Sequence, residues 1–346
     1  MVLYIVLTII DGSLPKRTPE LVDWGSLSLI TSLIITSKGL ELSGVFDRFA
    51  QRLVGKTNHS GKRLLLLLLP VIAFSSAIIM NDTAMLVFIP LVVILSELSG
   101  LDKARAVTLS AISANVGSAL TPIGNPQNII IWRHYRLGFL TFTVHMFPFV
   151  LLWLAVLLFF VVFSMDEAIS VESLPPLALR RDLLLVSVFL LGLNVYLGET
   201  GRHELSIAIT LALFLLLERD VLLSFDWALV LTFAFIFIDF NELSYLLSKA
   251  SLSLPTGGVK LLIASATLSQ LISNVPATVV FIGSKPEWLP LAVGVNAGGT
   301  GIIVGSLANI IAVRIGRVRL REFHRYSVPY FIVALVTSIG IILLGV

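Results

Sequence analysis

The chain has 346 residues, of which 57% are hydrophobic and 13% charged, with no cysteine and a formal net charge of +3. Soluble domains carry about 25% charged residues, so this composition excludes an ordinary water-soluble domain. Without cysteine there are no disulfides, thiolate metal sites or cysteine nucleophiles, and the small positive balance sits in loops rather than on a nucleic-acid-binding face.

Uncharged runs recur at residues 138–165, 183–198 and 288–313. Each approaches or exceeds the length needed to cross a hydrocarbon core about 30 Å thick. The prediction is an all-α, multi-pass protein of the plasma membrane, since a barrel would alternate in short segments instead.

In chain order, the apolar run at residues 2–10 lacks a basic leader and a small-residue cleavage site, and reads as a truncated first helix rather than a signal peptide. Residues 11–20, with Pro15 and Pro19, read as a polar turn. Asp23 and Trp24 open an apolar helix to Ser37, and residues 38–63 read as an amphipathic helix at the membrane interface. Residues 64–80 and 84–95 are apolar with Asn81-Asp82-Thr83 between them, which predicts a re-entrant hairpin over about 64–97 with those three residues at its tip.

Residues 104–132 form a helix interrupted at 115–128, where Gly117, Gly124, Pro122 and Pro126 break the hydrogen-bond ladder. Broken backbone inside a bilayer survives only where protein or a water-filled cavity satisfies it, so this stretch is a candidate binding site. A charged connector at 166–182 divides a first repeat, 1–165, from a second, 183–346. Spans at 183–198 and 205–217 follow it.

The second part echoes the first. Residues 296–309 align without a gap on 115–128, pairing Asn115 with Asn296, Gly117 with Gly298, Gly124 with Gly305 and Asn128 with Asn309. Asp226-Trp227 repeats Asp23-Trp24, a loop at 240–259 follows, and a second hairpin at about 260–283 carries Ser273-Asn274 at its tip. A second broken helix occupies about 288–313. The basic segments 38–63 and 314–325 mark the cytoplasmic side. Threading the chain from there gives the two repeats opposite topology, as in secondary transporters.

These residues carry a family resemblance. Asn81-Asp82-Thr83-Ala84 with Pro90, Thr121–Asn128, Ser273–Pro276 and Gly298–Asn309 resemble the ion-transporter superfamily. That group holds arsenite permeases, citrate transporters, sodium/proton antiporters and divalent-anion:sodium symporters. The Asn-Asp tip is nearest the arsenite-permease-like branch. The second tip, Ser273-Asn274-Val275, lacks the third hydroxyl of the symporter branch. The resemblance implies two inverted repeats, each with a re-entrant hairpin and a discontinuous helix, and a homodimer.

The expected function is ion-coupled secondary transport of a small anion or oxyanion, such as arsenite, or of a neutral oxyacid, by alternating access. A sodium/proton antiporter and a sodium-coupled dicarboxylate or sulfate symporter stand as alternatives, with a passive channel behind them. No enzyme motif is present: there is no His-Glu-x-x-His, no Gly-x-Ser-x-Gly and no phosphate-binding loop. The candidate substrate and ion ligands are Asn81, Asp82, Thr83, Asn115, Gly117, Thr121, Gly124, Asn125 and Asn128 in the first repeat. In the second they are Ser273, Asn274, Thr278, Asn296, Gly298, Thr300, Gly305, Ser306 and Asn309. Asn81, Asp82, Asn115 and Gly117 form a candidate sodium site, and Asp82 is the expected carrier of the coupling ion, Na+ or H+. No cofactor or nucleic acid is expected; the partners are the solute and the lipid bilayer. No lysine or arginine is expected at the cavity, and Asp239 is expected at an interfacial helix end.

Overall fold

A computed structural model describes residues 2–46, 48, 60–163, 178–250 and 253–345, and its regular elements are all helices. The chain opens with α1 (Val2–Ile10) and α2 (Leu14–Leu21). The stretch expected as a polar turn is thus partly helical. Pro15 sits in the first turn of α2, where a missing N–H is no loss, so it starts the helix instead of preventing it. Asp23 caps α3 (Trp24–Leu42) by accepting the Ser26 N–H at 3.1 Å. The interfacial helix expected over residues 38–63 lies largely outside the described residues.

The first hairpin is α4 (Gly61–Ile79) and α5 (Asn81–Ser99), joined at Met80 with φ 65° and ψ 145°. Its arms are longer than expected, and α4 alone is long and apolar enough to cross a membrane. Both open ends nevertheless lie on one side. Lys62 donates to the Val162 carbonyl at 2.9 Å, and Tyr326 lies 3.2 Å from Asp102.

The first broken helix is α6 (Lys103–Ser118) and α7 (Pro126–His134), followed by α8 (Phe139–Val162). Most of the connector at 166–182 lies outside the described residues. Then come α9 (Arg181–Glu199), α10 (His203–Leu217), the short α11 (Arg219–Leu223) and α12 (Trp227–Lys249). α12 overrides the expected loop at 240–259: Asp239 lies within it and is 5% exposed, not at an interfacial end. The second hairpin is α13 (Gly258–Ile272) and α14 (Asn274–Ile282), turning at Ser273 with φ 78° and ψ 157°. The second broken helix is α15 (Trp288–Gly298) and α16 (Leu307–Gly316), with a 3-10 turn at Ile303–Gly305 between them, and α17 (Leu320–Leu343) is last.

The packing pairs like with like. α4 lies along α6, and α13 lies along α15. Glycine makes both approaches close: a Cβ on Gly117 would overlap the Ala73 backbone, and one on Gly298 would meet Ser269 Cβ at 2.6 Å. α16 then packs on α5 and α6, while α14 and α15 pack on α7. A separate group of α3, α9, α10 and α11 is tied by buried Asn194, which donates to Thr36 at 3.0 Å and accepts from Ser206 at 2.7 Å.

The outer surface is apolar where a soluble protein would be polar. On α8, Leu140, Val144, Phe147 and Leu151 form an exposed stripe at helical spacing, while Phe142, Met146, Phe149 and Trp153 face inward. The polar groups have moved to the centre, where the breaks are.

Candidate functional site

Four helices begin at one place. The first residues of α5 (Asn81, Asp82), α7 (Pro126, Gln127), α14 (Asn274, Val275) and α16 (Leu307, with its cap Ser306) line a single cavity of about 220 Å³. Its remaining wall is α12, through Leu229, Thr232, Phe233 and Ile236. A helix N-terminus carries roughly half a positive charge and free N–H donors, so four of them aimed at one chamber favour negative charge there. Among the described residues, no lysine or arginine lines it.

The breaks that create these ends are held by a lattice of buried amides. Asn115 donates to Asn309 Oδ1 at 2.9 Å, and its counterpart Asn296 donates to Asn128 Oδ1 at 2.7 Å. Asn128 also donates to the Ser118 carbonyl at 3.3 Å and the Thr121 carbonyl at 3.0 Å. Asn309 does the same to the matching Gly299 at 2.9 Å and Ile302 at 3.3 Å. Each asparagine thereby satisfies carbonyls that the broken helix strands, and each pair links the two parts of the chain. Asn125 caps α7 through the Asn128 N–H at 2.9 Å and donates to Asn296 Oδ1 at 2.9 Å, while Ser306 caps α16.

The two halves support their hairpins differently. In the first, the Asn81 N–H bonds the Gly124 carbonyl at 3.0 Å and Thr121 donates to the Ala77 carbonyl at 2.5 Å. In the second, Gln270 donates to the Gly298 carbonyl and accepts the Ile302 N–H at 2.6 Å. Met80 and Ser273 both adopt positive φ, a conformation costing a non-glycine residue about 1–3 kcal/mol. This strain aims Asn81 and Asn274 inward.

Among the described residues, three side chains on the chamber keep a buried acceptor oxygen without a hydrogen-bond partner: Asn81 Oδ1, Asp82 Oδ1 and Gln127 Oε1. The amide orientations follow from the network, because Asn81 Nδ2 faces Asn115 Oδ1 at 3.0 Å and Gln127 Nε2 faces Asn296 Oδ1 at 3.3 Å. Of the four residues expected to hold sodium, Asn81 and Asp82 offer such oxygens. The Asn115 oxygen is taken by Asn81, and the Gly117 carbonyl by the Leu120 N–H at 3.1 Å. Among the described residues, no group of three or more histidines, aspartates or glutamates gathers as a metal site.

A second cavity, of about 470 Å³, shares Asp82, Thr232, Leu229, Leu307 and Ile310 with the first. Its mouth bears Lys38, Glu41, Asp226 and Arg314, on the face that the basic segments mark as cytoplasmic. Cationic side chains therefore stand one layer out from the chamber, at the outer cavity. The opposite face is closed by ion pairs and loop contacts. Arg133 pairs with Asp23 at 2.9 Å, Arg17 with Glu242 at 3.0 Å, and the Tyr135 hydroxyl bonds the Pro286 carbonyl at 2.5 Å.

Asn81, Asp82, Ser273, Asn274 and Ser306 line the chamber, and Thr83 lines the outer cavity. Asn115, Asn125, Asn128, Asn296 and Asn309 form the lattice behind it. Gly117, Gly124, Gly298 and Gly305 lie where a Cβ would strike neighbouring backbone or side chain. Thr278 and Thr300 bond their own helices, at 2.9 Å to Asn274 and 2.7 Å to Ala297. Sequence reasoning missed Gln127 and Thr232. Gln127 lay within the broken stretch, and Thr232 was a lone hydroxyl in an apolar helix.

Comparison with known proteins agrees with this architecture. The citrate transporter family (CitMHS) matches residues 1–284. The chain is 34% identical to the inner membrane protein YbiR of Escherichia coli, over 95% of this chain and 90% of that protein. It is 31% identical to the uncharacterized transporter MJ0456 of Methanocaldococcus jannaschii, over 93% and 89%. It is also 32% identical to the rice silicon efflux transporter LSI3, over 37% of this chain and 26% of that one. A chain with this fold, this buried polar centre and these relatives is a multi-pass membrane transporter and belongs to the citrate transporter family.

Proposed function

We propose that the protein is an ion-coupled secondary transporter of a small anion or oxyanion. The observation that carries this reading is the convergence of four helix N-termini on one chamber. Each end stabilises a neighbouring negative charge by about 0.3–1 kcal/mol, and by up to about 2 kcal/mol when partly buried. Four together favour an anion without any lysine or arginine in contact with it. Lys38 and Arg314 at the cytoplasmic mouth raise the local concentration of anions on the way in or out.

Asp82 supplies the coupling. It stands in the first turn of α5 with a buried oxygen that has no partner, beside Asn81 and Gln127 in the same condition. Three acceptors, one of them anionic, suit a sodium ion or a proton. The matched broken helices, joined by equivalent asparagine bonds, support a duplicated core whose two parts meet at the chamber. With Arg133–Asp23 and Arg17–Glu242 closing one face and the 470 Å³ cavity open on the other, the conformation corresponds to the inward-facing stage of alternating access.

A neutral oxyacid is the second reading, favoured by the same three free oxygens, because its hydroxyls are donors and the chamber offers acceptors to receive them. Uptake into proteoliposomes separates the readings. Citrate, sulfate, arsenite and silicic acid would be tested under separate proton and sodium gradients. Gradient-driven, saturable uptake of citrate or sulfate supports the anion reading, and that of arsenite or silicic acid the neutral one. Non-saturating flux without a gradient would refute both.

A further inference from the structure

The chamber accounts for Asp82 but leaves a second buried acid unused. Asp239 lies within α12, is 5% exposed, and its Oδ1 is buried with no hydrogen-bond partner among the described residues. A carboxylate in a membrane helix is costly, and one without a structural bond to its buried oxygen is difficult to explain by packing. Its position is specific. Thr232, seven residues earlier, lines both cavities. At 3.6 residues per turn, Asp239 lies on nearly the same face about 10 Å further from the cytoplasmic mouth. Ile236, between them, also lines the chamber.

Beyond Asp239 the same helix is sealed. Glu242, three residues on, is fully buried and pairs with Arg17 of α2 at 3.0 Å. Arg17 in turn pairs with Asp11 at 2.7 Å and lies 4.7 Å from the centre of the Tyr245 ring. The elements packed against α12 are α1, α2, α3 and α14. Among the described residues, the ionisable groups at this end of α1, α2 and α3 are Tyr4, Asp11, Lys16, Arg17, Glu20 and Asp23; α14 has none.

Resting on the reading of the chamber as a transport site, we propose that Asp239 is a second proton-exchanging carboxylate of the transporter. It serves the outer half of the path, with the Arg17–Glu242 pair as the latch that closes it. Asp239 takes one proton from the outer aqueous phase and becomes neutral. When the latch opens again it releases that proton to the same outer phase and is once more a negatively charged carboxylate. Asp82 and Asp239 thus stand on the two sides of the chamber, one toward each face.

The test needs no substrate. The full chain is reconstituted in lipid, and infrared difference spectra are recorded between about pH 5 and about pH 9, where a buried protonated carboxyl gives a resolved C=O band. The expected result is a band that appears as pH falls, is absent in Asp239→Asn and is shifted in Asp239→Glu. In Arg17→Gln, this band should exchange with D2O about threefold faster or more, because the latch is open. A band assigned to Asp239 that ignores pH marks a permanently protonated structural acid, and no such band marks a permanently ionised one; either overturns the proposal. If Asp239→Asn fails to fold, the shift in Asp239→Glu still decides. Asp82→Asn in the same series keeps the two ideas apart. A titrating Asp82 band with a silent Asp239 removes this inference alone, while silence at both removes proton coupling through the chamber as well.

Discussion

Asn296 is the sharpest point at which to test the amide lattice. Its Nδ2 donates to Asn128 Oδ1 at 2.7 Å and to the Ala292 carbonyl at 2.8 Å, while its Oδ1 accepts from Asn125 at 2.9 Å and Gln127 at 3.3 Å. Asn296→Ala strands Asn128 Oδ1 and Gln127 Nε2, whereas Asn125 keeps Ser118 Oγ at 3.0 Å. Two stranded groups at about 1–3 kcal/mol each give a loss of about 2–6 kcal/mol, toward the lower end because Gln127 borders the chamber and water can reach it. The duplicate position behaves differently. Asn115→Ala strands Asn309 Oδ1, but Asn81 Nδ2 retains a weak contact with Ser306 Oγ at 3.4 Å. The loss there is about 1–3 kcal/mol. Reversible unfolding in mixed micelles measures both. Replacing Asn296 and Asn128 together by leucine should not recover the loss, because it also removes the donor to the Ser118 and Thr121 carbonyls and leaves Gln127 Nε2 unpaired. The reasoning is refuted if Asn115→Ala is the more damaging change, or if Asn296→Ala costs less than about 1 kcal/mol.

Further expectations follow from the same geometry. Gly117→Ala forces a methyl into the Ala73 backbone, which cannot rotate away, and should lower stability by about 1–3 kcal/mol. Gly298→Ala should cost less, because its methyl would meet Ser269 Cβ at 2.6 Å and the Ala266 carbonyl at 2.8 Å, a milder overlap than at Ala73; paired melting curves give the order. Asp82→Asn should abolish gradient-driven uptake while the protein still elutes as a folded species, and full gradient dependence in that variant would remove Asp82 from the coupling. Burial pushes the Tyr135 hydroxyl up to about 12. A raised value means that the folded state holds the proton more tightly. The associated stability is therefore present below tyrosine's ordinary value of about 10 and lost as pH rises from there through about 12. Tyr135→Phe should flatten the alkaline melting profile over that window. It should also cost about 0.5–1.5 kcal/mol at neutral pH, through the lost bond to Pro286.

The membrane class, the hairpins and the breaks are legible in the residues alone, because each has a local cause. Apolar runs have no stable place but lipid, proline and glycine interrupt a ladder wherever they fall, and asparagine repeated at the same offsets marks a copy. Boundaries resting on weaker local signals went astray. Pro15 begins a helix where the prolines predict a turn, and α12 runs through Asp239 because buried contacts across to α2 and α14 outweigh the polarity of Asp239-Phe240-Asn241-Glu242. Within the site, the sequence named the right stretch without assigning its faces. Asn115 and Gly117 are two residues apart, hence on nearly opposite sides of α6, so one joins the lattice to Asn309 while the other lies against α4. The meeting of four helix N-termini at one chamber, the place of Gln127 and Thr232 on it, and the position of Lys38 and Arg314 one layer outside come from packing alone. Those relations join residues some two hundred positions apart. No local pattern encodes them, because they arise from how the two parts of the chain pack across each other.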